Sequence, residues 1–136
     1  MKMIILDYSD YFYKNVAKTA IPPVRSGKFV HILSPESEYL IFSPKLLSPY
    51  HADIVERFCN QHEIDGYYDK GQYVYIIHDN RWKVLGGGKW LMDDREMVLN
   101  LFDDSKAYGK FDSIGMVDKI TSDIRFSGYK IFLDKA

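Results

Sequence analysis

His51 is the residue of this 136-residue chain best suited to moving a proton near neutral pH, and three short stretches supply the groups that anion chemistry needs. Tyr50-His51-Ala52-Asp53-Ile54 brings the imidazole, and Leu85-Gly86-Gly87-Gly88-Lys89 brings an ammonium group beside unencumbered backbone. Ser105-Lys106-Ala107-Tyr108-Gly109 adds a hydroxyl and loop amides, and Lys28 heads an apolar run. Together these form a kit for holding and attacking a phosphoryl group, since backbone amides and ammonium groups neutralise its oxygens. Ser48-Pro49 reads as the N-cap and first residue of a helix, which puts His51 in the first turn. There the helix dipole disfavours imidazolium and favours a bound anion, and Lys28 and Lys89 push the same way. A histidine kept neutral can serve as general base toward water or as nucleophile toward phosphorus. The plain alternative is a surface or capping histidine.

The flanking pattern predicts the elements that position these residues. Lys28 to Leu33 and Glu38 to Phe42 read as two strands of a hairpin around Ser34-Pro35-Glu36-Ser37. Ile54, Val55, Phe58 and Cys59 form an apolar stripe at helical spacing, so the helix opened by Ser48 runs to about Glu63 and stops before Gly66. Further strands are expected at Met3–Tyr8, Tyr67–Tyr68, Tyr73–Ile77, Lys83–Leu85, Lys89–Leu91, Met97–Phe102 and Tyr129–Leu133. Gly86 to Gly88 interrupts them as a bulge or a close backbone approach. Helices are expected over Tyr11–Ala20 and Ile114–Ile124, with an extended connector at Ile21–Gly27 set by Pro22 and Pro23. The sum is an α/β (α+β) arrangement: a single domain over residues 1–136, its first twenty residues an N-terminal extension, with a mixed, roughly six-stranded sheet packed with two main helices.

Composition narrows the function classes. Hydrophobic residues at 46% and charged residues at 27% describe a globular chain, and 15% aromatics favour a sheet-rich core. A net charge of −1 gives no global attraction to nucleic acid or anionic lipid, so neither is an expected partner and any positive patch has to be local. Tyr67, Tyr68, Tyr73 and Tyr75 lack the basic interleaving of a base-stacking surface and read as strand residues. The opening Met1–Leu6 meets Asp7 before signal length, and no apolar run approaches a membrane span, so a soluble, cytoplasmic protein is expected. Cys59, the single cysteine, permits no intramolecular disulfide. Asp65 stands where a C-x5-R phosphatase loop would need arginine, so Cys59 reads as a packed apolar residue. The glycine triplet is no nucleotide P-loop, because Trp90 follows Lys89. His51 and His62 would lie about 16 Å apart on a straight helix, too far to share zinc. No metal and no other cofactor is therefore expected, the alternative being Mg²⁺ held by Asp103, Asp104 and Asp112. His31 and His78 read as packing or edge residues.

In order and spacing, four motifs resemble the phosphohistidine phosphatase family, also called the Janus or Janus/Ocnus family. Ile21-Pro22 with Gly27-Lys28-Phe29-Val30 is similar to its entry strand, Tyr50 to Ile54 to its catalytic-histidine motif, Leu85 to Lys89 to its Gly-rich strand, and Ser105 to Gly109 to its S-x-A-Y-G loop. The resemblance covers roughly Ile21 to Leu133. It implies a metal-independent phosphatase acting on protein phosphohistidine or a related phosphoramidate, with His51 as base or nucleophile. Lys28, Lys89, Ser105, Lys106, the Ala107 amide and Lys45 would bind phosphate. A phosphorylated protein or small phosphoramidate would be the partner, and the chain a monomer or weak homodimer.

Two positions depart from the family pattern, and an acidic pair strains it further. Ser43 replaces an arginine eight residues before the catalytic histidine, with Lys45 two residues further on, and Ser113 replaces a second histidine. Asp103 and Asp104 precede Ser105 directly; a carboxylate about 6 Å from a phosphate costs on the order of 3 kcal/mol per charge pair at an effective dielectric near 20. These departures motivate the alternative of a non-catalytic module that binds phosphoprotein or another anion on the same fold.

Overall fold

The computed structural model describes residues 2–133, and its apolar runs form the strands that carry the site. In chain order the elements are β1 (Lys2–Asp7), α1 (Ser9–Tyr11) continuing as a π-helical turn (Phe12–Ala17), β2 (Val24–Leu33), β3 (Ser37–Pro44), α2 (His51–Gln61), β4 (Gly66–Asp69), β5 (Val74–Ile77), β6 (Lys83–Asp93), β7 (Val98–Phe102), α3 (Met116–Thr121), a 3₁₀ turn (Ile124–Phe126) and β8 (Lys130–Leu133). Six strands form one mixed sheet in the order β1-β3-β2-β6-β7-β8, parallel at its two outer pairs and antiparallel within. This is the expected α+β fold.

Side chains alternate across each strand, so the sheet feeds two cores. Phe29, Leu40, Phe42, Trp90 and Met92 pack toward α3 with Met116 and Ile120, whereas Val30, Ile32 and Ile41 pack toward the α2 stripe of Ile54, Val55, Phe58 and Cys59. Burial pushes the Cys59 thiol up to about 11, which keeps it a packing group rather than a nucleophile. Among the described residues no helix is long and apolar enough to cross a membrane.

Tertiary contacts redraw several boundaries. The connector at Ile21–Gly27 shortens, because Val24 to Gly27 pairs with β6 and joins β2. Lys83–Leu85 and Lys89–Leu91 are one strand, since Gly86 to Gly88 stays in the ladder and its irregularity is a register shift opposite His31 and Ile32. The extra residue is Leu85, just before the triplet, and at Gly86 to Gly88 themselves the close backbone approach is what forms. Tyr67–Tyr68 lies in β4, and the strand expected at Tyr73–Ile77 is β5 from Val74 on, with Tyr73 in the turn; the two pair with each other outside the main sheet. The Tyr11–Ala20 helix starts at Ser9 and winds into the π-turn, ending where Lys18 turns left-handed at φ 56°. Ile114–Ile124 contracts to α3, because Gly115 at φ 70° starts it late.

Arg25 ties the strand ends together from a side chain only 7% exposed. Its guanidinium donates to Asp94 at 2.6 Å and to the Pro22 carbonyl at 2.9 Å, with Asp7 3.8 Å away. The guanidinium is buried but Asp94 is 39% exposed, so Arg25→Met is expected to lower stability by about 1–2 kcal/mol in urea melts, between the scales of an exposed and a buried pair.

Candidate functional site

α2 starts where it does because of a turn packed beneath it. The Pro44 carbonyl accepts the N–H groups of Leu47 and Ser48, and Ser48, fully buried, receives the Ser43 hydroxyl at 2.7 Å. Ser48 is thereby used inside the fold, and Tyr50, in extended backbone at φ −124°, becomes the N-cap instead. Asp53 accepts the Tyr50 N–H at 2.9 Å, half of a capping box, which accounts for that carboxylate structurally. His51 is the first helical residue.

The His51 ring lies against β6. Its Nε2–H donates to the Gly88 carbonyl at 2.9 Å, and a Cβ on Gly87 would stand 2.9 Å from its Cδ2. With the Nε2 edge spent on the strand, the neutral ring carries its lone pair on Nδ1. The ring is 7% exposed, and burial lowers its pKa below 6.5; the Gly88 bond opposes this, Lys28 assists it, Asp104 opposes it and Lys89 assists it. The glycines are needed here: at Gly87 a Cβ would also meet the Phe29 carbonyl at 2.5 Å, and at Gly88 the Phe102 carbonyl at 2.5 Å.

Strand register delivers the two lysines. Lys28 of β2 pairs directly with Lys89 of β6, which puts both side chains on the α2 face beside His51. Lys28 donates to the Pro49 carbonyl at 2.7 Å and lies over the Tyr50 ring at 5.5 Å. Partial burial, then the charges of Lys45 and Lys89, lower its pKa, with Asp53 opposing. Lys89 meets Asp103 at 3.0 Å, and Asp103 reaches it from left-handed backbone at φ 63°. The carboxylate that threatened a phosphate is thus partly offset by a lysine.

These groups share a cleft of about 720 Å³. Lys28, His51, Ala52 and Lys89 line it together with Asp103, Asp104, Lys106 and Ala107 of the loop after β7, and with Tyr50, Tyr68, Gln72 and Tyr73. The volume falls within the roughly 300–1,000 Å³ of small-molecule sites and far exceeds a lone phosphoryl group. His51 and Ala52, the first two residues of α2, line this cleft, so the positive end of the helix dipole borders it.

Two expected ligands lie outside the cleft. Ser105 is 2% exposed and does not line it: its Oγ accepts the Tyr108 N–H at 3.0 Å, and its backbone pairs with Gly109, so it closes the loop. Lys45 is exposed on the turn after β3, also off the lining, and acts on Lys28 only through its charge. Ser43 is fully buried, its hydroxyl spent on Ser48, and brings no charge to the cleft. Ser113 is exposed and away from the cleft lining. Among the described residues no group of three or more His, Cys, Asp or Glu side chains is arranged to hold a metal ion.

The β4–β5 hairpin is the part that sequence reasoning missed as site. Tyr108 holds it to the Ser105 loop twice, its hydroxyl accepting the Tyr75 N–H at 2.7 Å and donating to the Tyr75 carbonyl at 2.8 Å. The available signal was the Asp69-Lys70-Gly71-Gln72 turn, where Asp69 Oδ1 accepts the N–H groups of Gly71 and Gln72. It turns the chain between Tyr68 and Tyr73 and leaves both in the cleft wall. Tyr108→Phe is expected to loosen that wall, raising KM several-fold for any ligand that touches it with little change in kcat, since each lost hydrogen bond is worth about 1 kcal/mol. Steady-state kinetics would measure the split.

Compared with known proteins, the chain matches no family model and no curated protein.

Proposed function

We propose that this chain is a metal-independent phosphatase for protein phosphohistidine or a related phosphoramidate, of the phosphohistidine phosphatase type. The observation that carries the reading is the convergence of Lys28, His51, Lys89 and the α2 N-terminus on one cleft. In this scheme the lysines and opening amides take the phosphoryl oxygens. The neutral Nδ1 of His51 removes a proton from water as its oxygen attacks phosphorus, or attacks phosphorus itself to give a phospho-His51 whose N–P bond water then cleaves, releasing phosphate. The P–N bond breaks with its electron pair going to the leaving nitrogen, which takes up a proton. No metal takes part, and a reducing cytoplasm suits the lone thiol.

The test is hydrolysis of a phosphohistidine peptide in the presence of a chelator, by wild type and His51→Ala. Equal rates for the two, or no turnover by wild type, would remove the catalytic assignment.

The Lys89–Asp103 ion pair favours one second reading, a non-catalytic module that binds a phosphorylated protein, because it halves the charge available to a transition state. That reading expects phosphate-dependent peptide binding without turnover that survives His51→Ala. On either reading Lys28→Ala with Lys89→Ala is expected to weaken phosphopeptide binding by at least tenfold in calorimetry, since charge-assisted hydrogen bonds contribute about 1.5–3 kcal/mol each.

A further inference from the structure

Asp104 lines the cleft and acts electrostatically on His51, yet among the described residues no cation pairs with it. Asp103 is engaged by Lys89, and Lys106, on the same rim, makes no ion pair with Asp104. An unneutralised carboxylate beside a phosphate cradle weakens binding of phosphate alone. It becomes favourable only for a ligand that carries a positive charge next to its phosphoryl group.

The hairpin wall answers the same description. Tyr68 and Tyr73 line the cleft with 46% and 72% of their surfaces exposed, and Tyr73 is kept there by left-handed backbone at φ 58°. Tyrosine faces attract cations, and this cleft already uses one so, with Lys28 over Tyr50. Gln72 adds an amide able to bond a peptide backbone.

We infer that Asp104, with Tyr68, Gln72 and Tyr73 of the same cleft, forms a second subsite that receives a lysine or arginine side chain adjacent to the phosphorylated residue. The inference rests on the phosphate reading of Lys28, His51 and Lys89 and adds the substrate class: a phosphorylated basic segment. Charge complementarity and the surplus volume both point to this occupant. The phosphoryl group meets Lys28 and Lys89, and the neighbouring cation meets Asp104 between the tyrosine faces.

Two phosphohistidine peptides differing only in a lysine or a glutamate beside the phosphorylated residue test it. Wild type is expected to favour the lysine peptide by about tenfold in kcat/KM, the combined scale of an exposed ion pair and a cation–π contact. Asp104→Asn and Tyr73→Ala are each expected to reduce that ratio by about threefold. An unchanged ratio in Asp104→Asn would overturn the inference. Calorimetry with the same pair built on a non-hydrolysable phosphohistidine mimic separates the two readings. A lysine preference in binding without turnover on the natural peptides keeps the subsite and removes the phosphatase, while equal binding of the two mimics removes the subsite whatever the turnover.

Discussion

His51→Ala is expected to lower hydrolysis of a phosphohistidine peptide by about 10²–10⁴-fold, the usual contribution of a positioned general base. The fold should survive, because the substitution removes one hydrogen bond, to Gly88, worth about 1 kcal/mol. The wild-type pH profile carries the more specific signature. Burial, the largest cause, holds the His51 pKa below 6.5, so the ring is neutral at pH 7 and kcat/KM should be level there. Activity should fall only as pH drops through that lowered value, and an acid limb centred at or above 6.5 would contradict a buried, lysine-flanked base. Stability follows with the same sign. His51 and His31 both have lowered folded pKa values, so below 6.5 the unfolded chain binds more protons than the folded one. Unfolding free energy should therefore decline as pH falls from about 6.5 through the two folded values, measurable by urea melts at stepped pH.

Gly87→Ala is expected to damage stability and activity together. The added Cβ meets the Phe29 carbonyl on one side and the His51 ring on the other, and the carbonyl is locked in the β2–β6 ladder. Overpacking of this kind costs about 1–3 kcal/mol. The softer neighbour is the imidazole, and its displacement breaks the Nε2–H bond that fixes the tautomer. A shift of about 1 Å in a reacting group can cost on the order of 10²-fold in rate. Gly71→Ala, in an exposed turn with only the Asp69 side chain nearby, is the matched control, and comparable losses in both would refute a special role for the triplet.

Much of the scaffold was legible from local physics. The hairpin at Ser34 to Ser37 formed as expected because Ser34 Oγ bonds the N–H groups of Glu36 and Ser37, chemistry internal to four residues. The α2 stripe was readable because helical spacing alone puts Ile54, Val55, Phe58 and Cys59 on one face. Ser48 misled for the opposite reason. Its type and position suit an N-cap, but its hydroxyl had a buried partner, Ser43, in another element.

The candidate site divides in the same way. The residue types were determined by sequence alone: an imidazole at a helix start, a lysine on each of two strands, and glycines where backbone must approach backbone. Only the tertiary structure decided how they meet. The β2–β6 register sets Lys28 opposite Lys89, the Ser105 loop folds its hydroxyl inward, and Asp103 swings onto Lys89. The β4–β5 hairpin leaves the main sheet to bring Tyr68 and Tyr73 over the cleft. Local hydrogen bonding and periodicity act over a few residues, and a sequence displays them directly. Pairing register and side-chain competition act between segments tens of residues apart, and they are settled only when the whole core packs.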